Sequence, residues 1–129
     1  MKVVVIGCTH AGTAAIVNLR KTNPEAEIMV FERNDNISFL SCGIALYVGG
    51  VVKDPQGLFY SSPEKLRELN VDMRMRHDVK NVDIEGKTIR VANLETGIEF
   101  NETFDKLIVT SGSWPIIPLI EGIDLNNIL

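Results

Sequence analysis

The chain has 129 residues, a net charge of −4 and 45% hydrophobic residues, values typical of a single globular domain and not of a disordered or fibrous chain. The acidic balance gives no indication of a nucleic-acid partner or of an anionic membrane surface. No apolar run approaches the ~18 residues that cross a bilayer, and two cysteines are too few for a disulfide scaffold.

The start of the chain predicts a β-α-β unit. Lys2–Ile6 is a continuous apolar run, as expected of a strand buried on both faces. Gly12–Lys21 has the pattern of a helix that ends before Pro24, and Glu27–Phe31 is a second apolar strand. Such a unit predicts parallel strands joined by a right-handed crossover, and hence an α/β domain with a central parallel sheet.

Shorter elements follow. We predict helices at Ser41–Gly50 and Ser62–Leu69, and a short β-hairpin or meander insertion around Glu85-Gly86. After Ser113 the chain becomes irregular and contains prolines, which is typical of a linker, so we divide it into a domain at 1–113 and a linker at 114–129. The remaining predicted strands are Val71–Met75, Val79–Asp83, Lys87–Ala92 and Phe104–Thr110.

The amino-terminal residues also bear on the compartment. The first strand follows Met1 almost directly, and its apolar stretch is shorter than the roughly 7–15 residues of a signal-peptide core. We therefore expect a cytoplasmic protein, in which a thiol stays reduced unless it takes part in redox chemistry. We predict no metal site.

A glycine turn, Gly7-Cys8-Thr9-His10-Ala11-Gly12, joins the first strand to the first helix. A dinucleotide fingerprint requires this context, because the turn aims backbone N–H groups and the helix N-terminus at a pyrophosphate. Thr9 holds the position of the middle glycine, where its Cβ hinders close phosphate approach although its hydroxyl can donate a hydrogen bond. The alternative is a strand-to-helix turn that binds no ligand.

Glu32 ends the second strand, about 20 residues past the glycine turn, where an acidic residue can bind ribose hydroxyls. A carboxylate suits a free 2′-hydroxyl and not a 2′-phosphate, which favours NAD or FAD as the ligand. The alternative for Glu32 is a solvated acid at a strand end. Arg33 either flanks the adenosine or belongs to the surface.

Cys42 precedes a predicted helix, where the helix dipole and free N–H groups favour a reactive thiolate. A buried packing residue is the alternative. His10 either exchanges protons near neutral pH or packs over the turn. Cys8 is interpreted as a packing residue, and nothing in the spacing requires a disulfide between Cys8 and Cys42. His77 carries no comparable argument.

Taken together, these residues resemble a known family. The glycine turn, Glu32, the segment Ser38–Tyr47 around Cys42, and Thr110-Ser111-Gly112-Ser113 occur in the same order in the NADH oxidase and NADH peroxidase flavoenzymes. Those enzymes are pyridine nucleotide–disulfide oxidoreductases. The resemblance covers essentially the whole chain as the amino-terminal part of such an enzyme, so that Thr9 becomes a family trait.

The resemblance implies a Rossmann-like FAD-binding domain. The pyrophosphate would bind to Gly7, Cys8, Thr9, His10, Ala11 and Gly12, and the ribose to Glu32, with Arg33 beside the adenosine. The backbone of Val79 would meet the adenine, and the turn formed by Thr110, Ser111, Gly112 and Ser113 would pass close to the flavin. Cys42, beside the flavin, would be the single redox cysteine, with His10 as the active-site histidine near it.

The implied enzyme is an NADH oxidase, a cytoplasmic flavoprotein oxidoreductase. It would transfer a hydride from NADH to FAD and reduce O2, with water as the expected product and Cys42 cycling between thiolate and sulfenic acid. The residues after the cysteine resemble the oxidases, while coenzyme A disulfide reductases usually carry Asn-Cys-Gly-Leu-Pro-Tyr where this chain has Ser41, Ile44 and Ala45. NADH peroxidase is the nearest alternative. A non-catalytic nucleotide-binding module and an NAD-binding domain without flavin are the others.

The resemblance also implies that the fold is incomplete. The family builds its NADH domain from later residues, so 114–129 would begin the linker to that absent domain. We expect the complete enzyme to be a homodimer or a larger oligomer. The fragment alone is expected to self-associate and to be inactive, because its sheet lacks one strand and exposes an edge.

Overall fold

A computed structural model describes residues 1–113, 116–123 and 125–126. The helices are α1 (His10–Thr22), α2 (Ile44–Val48) and α3 (Pro63–Arg67), with 3₁₀-helical turns at Ser41–Gly43 and Pro55–Leu58. The strands are β1 (Lys2–Ile6), β2 (Glu27–Glu32), β3 (Val71–Met75), β4 (His77–Asp83), β5 (Thr88–Asn93), β6 (Glu99–Thr103) and β7 (Lys106–Val109).

A parallel sheet with the strand order β3-β2-β1-β7 forms the centre of the fold. The strand β1 is central because its apolar side chains are needed on both faces. Val3 and Val5 pack with Ile16 of α1, while Val4 packs on the opposite face with Phe31. The predicted α/β class and the parallel β-α-β unit are confirmed.

The strands β4, β5 and β6 form a separate antiparallel meander that covers the second face of the parallel sheet. Ile89 and Val91 of β5 are buried there with Phe104. The domain therefore has three layers: helices, parallel sheet and meander. The predicted insertion around Glu85-Gly86 is the first hairpin of this meander.

Two elements differ from their predictions. The predicted helix Ser41–Gly50 is divided into the 3₁₀ turn Ser41–Gly43 and the five-residue α2. None of the residues of α2 is buried, so no packing supports a longer helix. The strand β6 was not predicted, because only Phe100 among its residues is a large apolar side chain.

Most of the predicted linker lies within the described residues. Ile116, Ile117 and Leu119 are exposed and belong to no helix or strand. The predictions at 114, 115, 124 and 127–129 lie outside the described residues, and the division at 114 stays a prediction. No helix in the described part of the chain is both long and apolar enough to span a membrane.

Candidate functional site

A cleft of about 450 Å³ lies where β1, β2 and β7 end. Ligands of open parallel sheets bind at the carboxyl ends of the strands, and the volume is in the range of small-molecule sites. The cleft is lined by ten of the residues predicted to bind a cofactor, namely Gly7, Cys8, Thr9, Glu32, Arg33, Val79, Thr110, Ser111, Gly112 and Ser113. It is not lined by His10, Ala11, Gly12 or Cys42.

The glycine turn is held by close backbone packing. Gly7 has a φ of +85°, and a Cβ there would lie 2.5 Å from the carbonyl oxygen of Thr110. A Cβ on Gly12 would overlap the carbonyl oxygen of Gly7. Thr110 joins β7 to this turn, since its hydroxyl donates to the carbonyl oxygens of Ile6 (2.9 Å) and Gly7 (2.8 Å). Any side chain at either glycine would therefore push the helix away from the sheet.

The N-terminus of α1 follows this turn and carries no compensating negative charge. Thr9 makes no side-chain capping hydrogen bond, and the first turn contains no acidic residue. The partial positive charge of the helix end is therefore available to an anionic group. Thr9 lines the cleft with its neighbours Gly7 and Cys8.

Glu32 closes the cleft on the β2 side. Its side chain is 3% exposed, and its Oε2 accepts a 2.8 Å hydrogen bond from the backbone N–H of Cys8. Its Oε1 accepts from the backbone N–H and from the Nδ2 of Asn34, both at 2.9 Å. Glu32 is thus a buried acid that connects the second strand to the glycine turn, and not the solvated residue that its sequence position also allowed.

The two cysteines lie in opposite environments, and both are free thiols. Cys8 is fully buried, and burial raises the pKa of its thiol to about 11, despite a contact between Sγ and the Thr13 hydroxyl that acts in the opposite direction. Its predicted packing role agrees with this burial. Cys42 is exposed, so the alternative of a buried packing residue is wrong for Cys42.

The segment around Cys42 is attached to the fold on one side only. Leu40 donates its backbone N–H to Leu58 at 2.7 Å, and Phe39 packs against Phe59 with ring centroids 5.3 Å apart. A Cβ on Gly43 would lie 2.6 Å from a methyl carbon of Leu58. The thiol follows these contacts at the beginning of a 3₁₀ turn rather than at the N-terminus of a long helix.

His10 interacts with Tyr60, a residue that sequence reasoning missed. The two rings stack with centroids 5.6 Å apart, and His10 Nδ1 lies 3.2 Å from the Tyr60 hydroxyl. That hydroxyl donates its proton to the carbonyl oxygen of Thr9 at 3.2 Å. Nδ1 must therefore be the donor to Tyr60, which leaves Nε2 of the neutral imidazole as the free base. No hydrogen bond or ring contact joins His10 to Cys42 among the described residues.

His77 and Asp78 also line the cleft without having been predicted. His77 donates its Nδ1–H to the carbonyl oxygen of Met75 at 2.7 Å and packs between Phe31 and Phe100. Its burial in an aromatic cluster between two sheets depends on tertiary packing, so the sequence held no signal for it. The strand β4 bulges directly after Val79, which changes the course of its backbone at the cleft.

No group of three or more His, Cys or acidic residues in the described ranges could hold a metal ion. The cleft instead offers backbone donors, an uncompensated helix N-terminus and one buried carboxylate. Those features suit a nucleotide with a pyrophosphate and a ribose diol.

Parallel strands that end at a glycine turn and a helix N-terminus define a Rossmann-type dinucleotide-binding domain. The pyridine nucleotide-disulphide oxidoreductase family model matches residues 1–129, and the chain belongs to that family.

Three relatives illustrate the similarity. An NADH oxidase of Enterococcus faecalis is 58% identical over 129 residues, which are 100% of this chain and 29% of that protein. A coenzyme A disulfide reductase of Staphylococcus aureus is 30% identical over 113 residues, 87% of this chain and 26% of that protein. The solved water-forming NADH oxidase from Lactobacillus brevis, bound to NADH, is 57% identical with a TM-score of 0.94 and is matched over 98% of this chain and 28% of its own. The chain thus spans less than a third of the length of these relatives.

Proposed function

We propose that the cleft binds the adenosine diphosphate half of FAD and that the chain is the amino-terminal flavin-binding part of an NADH oxidase. One observation carries the first step: the glycine turn, the α1 N-terminus and the buried carboxylate of Glu32 line one cleft at the strand ends. The second step rests on the 58% identity to an NADH oxidase along the whole chain.

The residues present fit this ligand. Close approach of a pyrophosphate needs a turn without side chains at its two ends, and packing excludes a Cβ at both Gly7 and Gly12. The uncapped helix end supplies positive potential for the phosphates. Glu32 supplies an acceptor for a ribose hydroxyl, and Val79 and the turn Thr110–Ser113 line the rest of the cleft.

Bound FAD would supply two-electron transfer from NADH to oxygen. The chain's own chemistry is then that of Cys42, whose exposed thiol is accessible to a peroxide. Its thiolate attacks one peroxide oxygen, the O–O bond breaks and hydroxide leaves, which produces a sulfenic acid on the cysteine. His10, whose Nε2 is the free base, is the proton donor and acceptor that we assign to this step.

Coenzyme A disulfide reductase is the second candidate, favoured by the 30% identity to the S. aureus enzyme. NADH peroxidase stays the alternative within the flavoenzymes. We further propose a cytoplasmic protein that works as a homodimer or larger oligomer.

The test uses the native gene product. We expect flavin absorption bands, oxygen-dependent NADH oxidation and release of peroxide when Cys42→Ser removes the thiol. A native product without flavin bands, or a Cys42→Ser variant that oxidises NADH and releases no peroxide, contradicts the proposal. A native mass of about 14.3 kDa would favour the non-catalytic module. Activity with coenzyme A disulfide and not with oxygen would favour the second candidate.

A further inference from the structure

Glu32 already holds three hydrogen bonds from the protein. A carboxylate has about four acceptor sites, two on each oxygen. The backbone N–H and the side-chain amide of Asn34 occupy both sites of Oε1, each at 2.9 Å. The backbone N–H of Cys8 occupies one site of Oε2 at 2.8 Å. One acceptor site therefore remains, and it lies on Oε2.

Asn34 decides which oxygen keeps that site. Its two donors converge on Oε1 and fix the rotation of the carboxylate, while the N–H of Cys8 fixes the other oxygen from the glycine turn. Glu32 is 3% exposed and lines the cleft together with Asn34. Because so little of the side chain meets solvent, a ligand in the cleft encounters the carboxylate in this fixed orientation.

We propose that Glu32 binds only one of the two ribose hydroxyls of an adenosine ligand, through Oε2, and that Asn34 is the positioning residue that withholds Oε1 from the second hydroxyl. The inference rests on the proposed nucleotide site and specifies how that site recognises the ribose. The two-hydroxyl grip that a free carboxylate would provide is replaced by a one-hydroxyl grip.

The test measures the binding of ADP, 2′-deoxy-ADP and 3′-deoxy-ADP to the chain by isothermal titration calorimetry. For the wild type, we expect one deoxy analogue to bind about tenfold or more weakly than ADP, because a hydrogen bond to a charged group is lost. The other analogue should bind within about twofold of ADP, because its missing hydroxyl has no partner on Glu32.

Asn34→Ala frees one site on Oε1 and leaves the backbone donor in place. The second analogue should then also bind more weakly than ADP, by about fivefold or more, because its missing hydroxyl now has an available acceptor. Asn36→Ala is the matched control, since the amide of Asn36 donates only to the exposed Asp35. It should keep the wild-type pattern, and circular dichroism verifies that each variant is folded.

Each outcome is decisive. Equal weakening of both analogues in the wild type overturns the inference even if Asn34→Ala does not fold. A variant that weakens ADP and both analogues by one common factor has lost only structural support, which also overturns it. If the folded wild type binds no ADP, the proposed nucleotide site itself fails. If ADP binds but the analogue pattern is wrong, only the present inference fails.

Discussion

The glycine-turn cleft and the Cys42 segment are built in contrasting ways. At the cleft, backbone amides, the Thr110 hydroxyl and the buried Glu32 connect the ends of three strands. In the Cys42 segment, α2 has five residues and buries none of them, and Val48 and Val51 are 80% and 71% exposed. The described residues thus complete the nucleotide end of the proposed site, while nothing among them covers the thiol end.

The largest effect is expected at the cleft, from Gly12→Ala. The added Cβ would overlap the backbone oxygen of Gly7, so α1 must shift from the sheet at a cost of about 3 kcal/mol. We expect thermal unfolding at a lower temperature and no measurable ADP binding. Gly57→Ala is the control, because its Cβ would lie 3.4 Å from a Val52 methyl group, an ordinary distance. If both variants unfold and bind alike, the turn is not the tightly packed element described above.

The two thiols should differ in reactivity by about a hundredfold or more at pH 8. Cys42 is exposed, whereas Cys8 is buried with a thiol pKa of about 11. Iodoacetamide should add once to the native chain, and peptide mass spectrometry should find the adduct on Cys42. Adding denaturant should allow a second adduct on Cys8. Rapid native labelling of Cys8 would mean that the cleft region opens as readily as the Cys42 segment.

The buried thiol also predicts a dependence of stability on alkaline pH. Between the ordinary thiol pKa of 9.0 and the folded value of about 11, the unfolded chain loses the Cys8 proton and the folded chain keeps it. Stability is therefore present below pH 9 and falls as pH rises, by about 1.4 kcal/mol per pH unit in that window. Urea titrations of wild type and Cys8→Ala measure the difference. Parallel curves for the two proteins would contradict the assignment.

The exposed apolar side chains of the Cys42 segment are expected to drive self-association. Replacing both Val48 and Val51 by lysine should weaken it by about tenfold in sedimentation experiments, because the apolar surface is lost. Ile84→Lys is the matched control, since Ile84 is 67% exposed at the turn between β4 and β5. An equal effect of the control would mean that the association has no preference for this segment.

Much of the cleft was predictable from sequence because its signals are local. The apolar run of β1, the glycine turn and the acid at the end of β2 lie within 32 residues of the amino terminus. The Cys42 segment was harder, since a helix predicted from Ser41 to Gly50 needs packing that α2 does not receive. Tyr60 was missed because it lies 50 residues from His10, and no local pattern predicts that contact.

The smallest effect is expected from Tyr60→Phe. The variant keeps the ring stack with His10 but loses the hydroxyl that accepts from Nδ1, at a stability cost of about 1 kcal/mol or less. Nitrogen NMR should find the His10 proton on Nδ1 in the wild type, and this preference should disappear in the variant. Tyr47→Phe, another exposed tyrosine, should change nothing. A proton on Nε2 in the wild type would contradict the described hydrogen-bond chain.

The central claim is that the cleft between the strand ends binds the adenosine diphosphate half of FAD. Its most direct test is a titration of the folded chain with ADP and with FAD, followed by tryptophan and flavin fluorescence. The account predicts saturable binding of one FAD per chain, competition by ADP, and loss of both with Gly12→Ala. A folded wild-type chain that binds neither ligand, or binds FAD without competition from ADP, would contradict it.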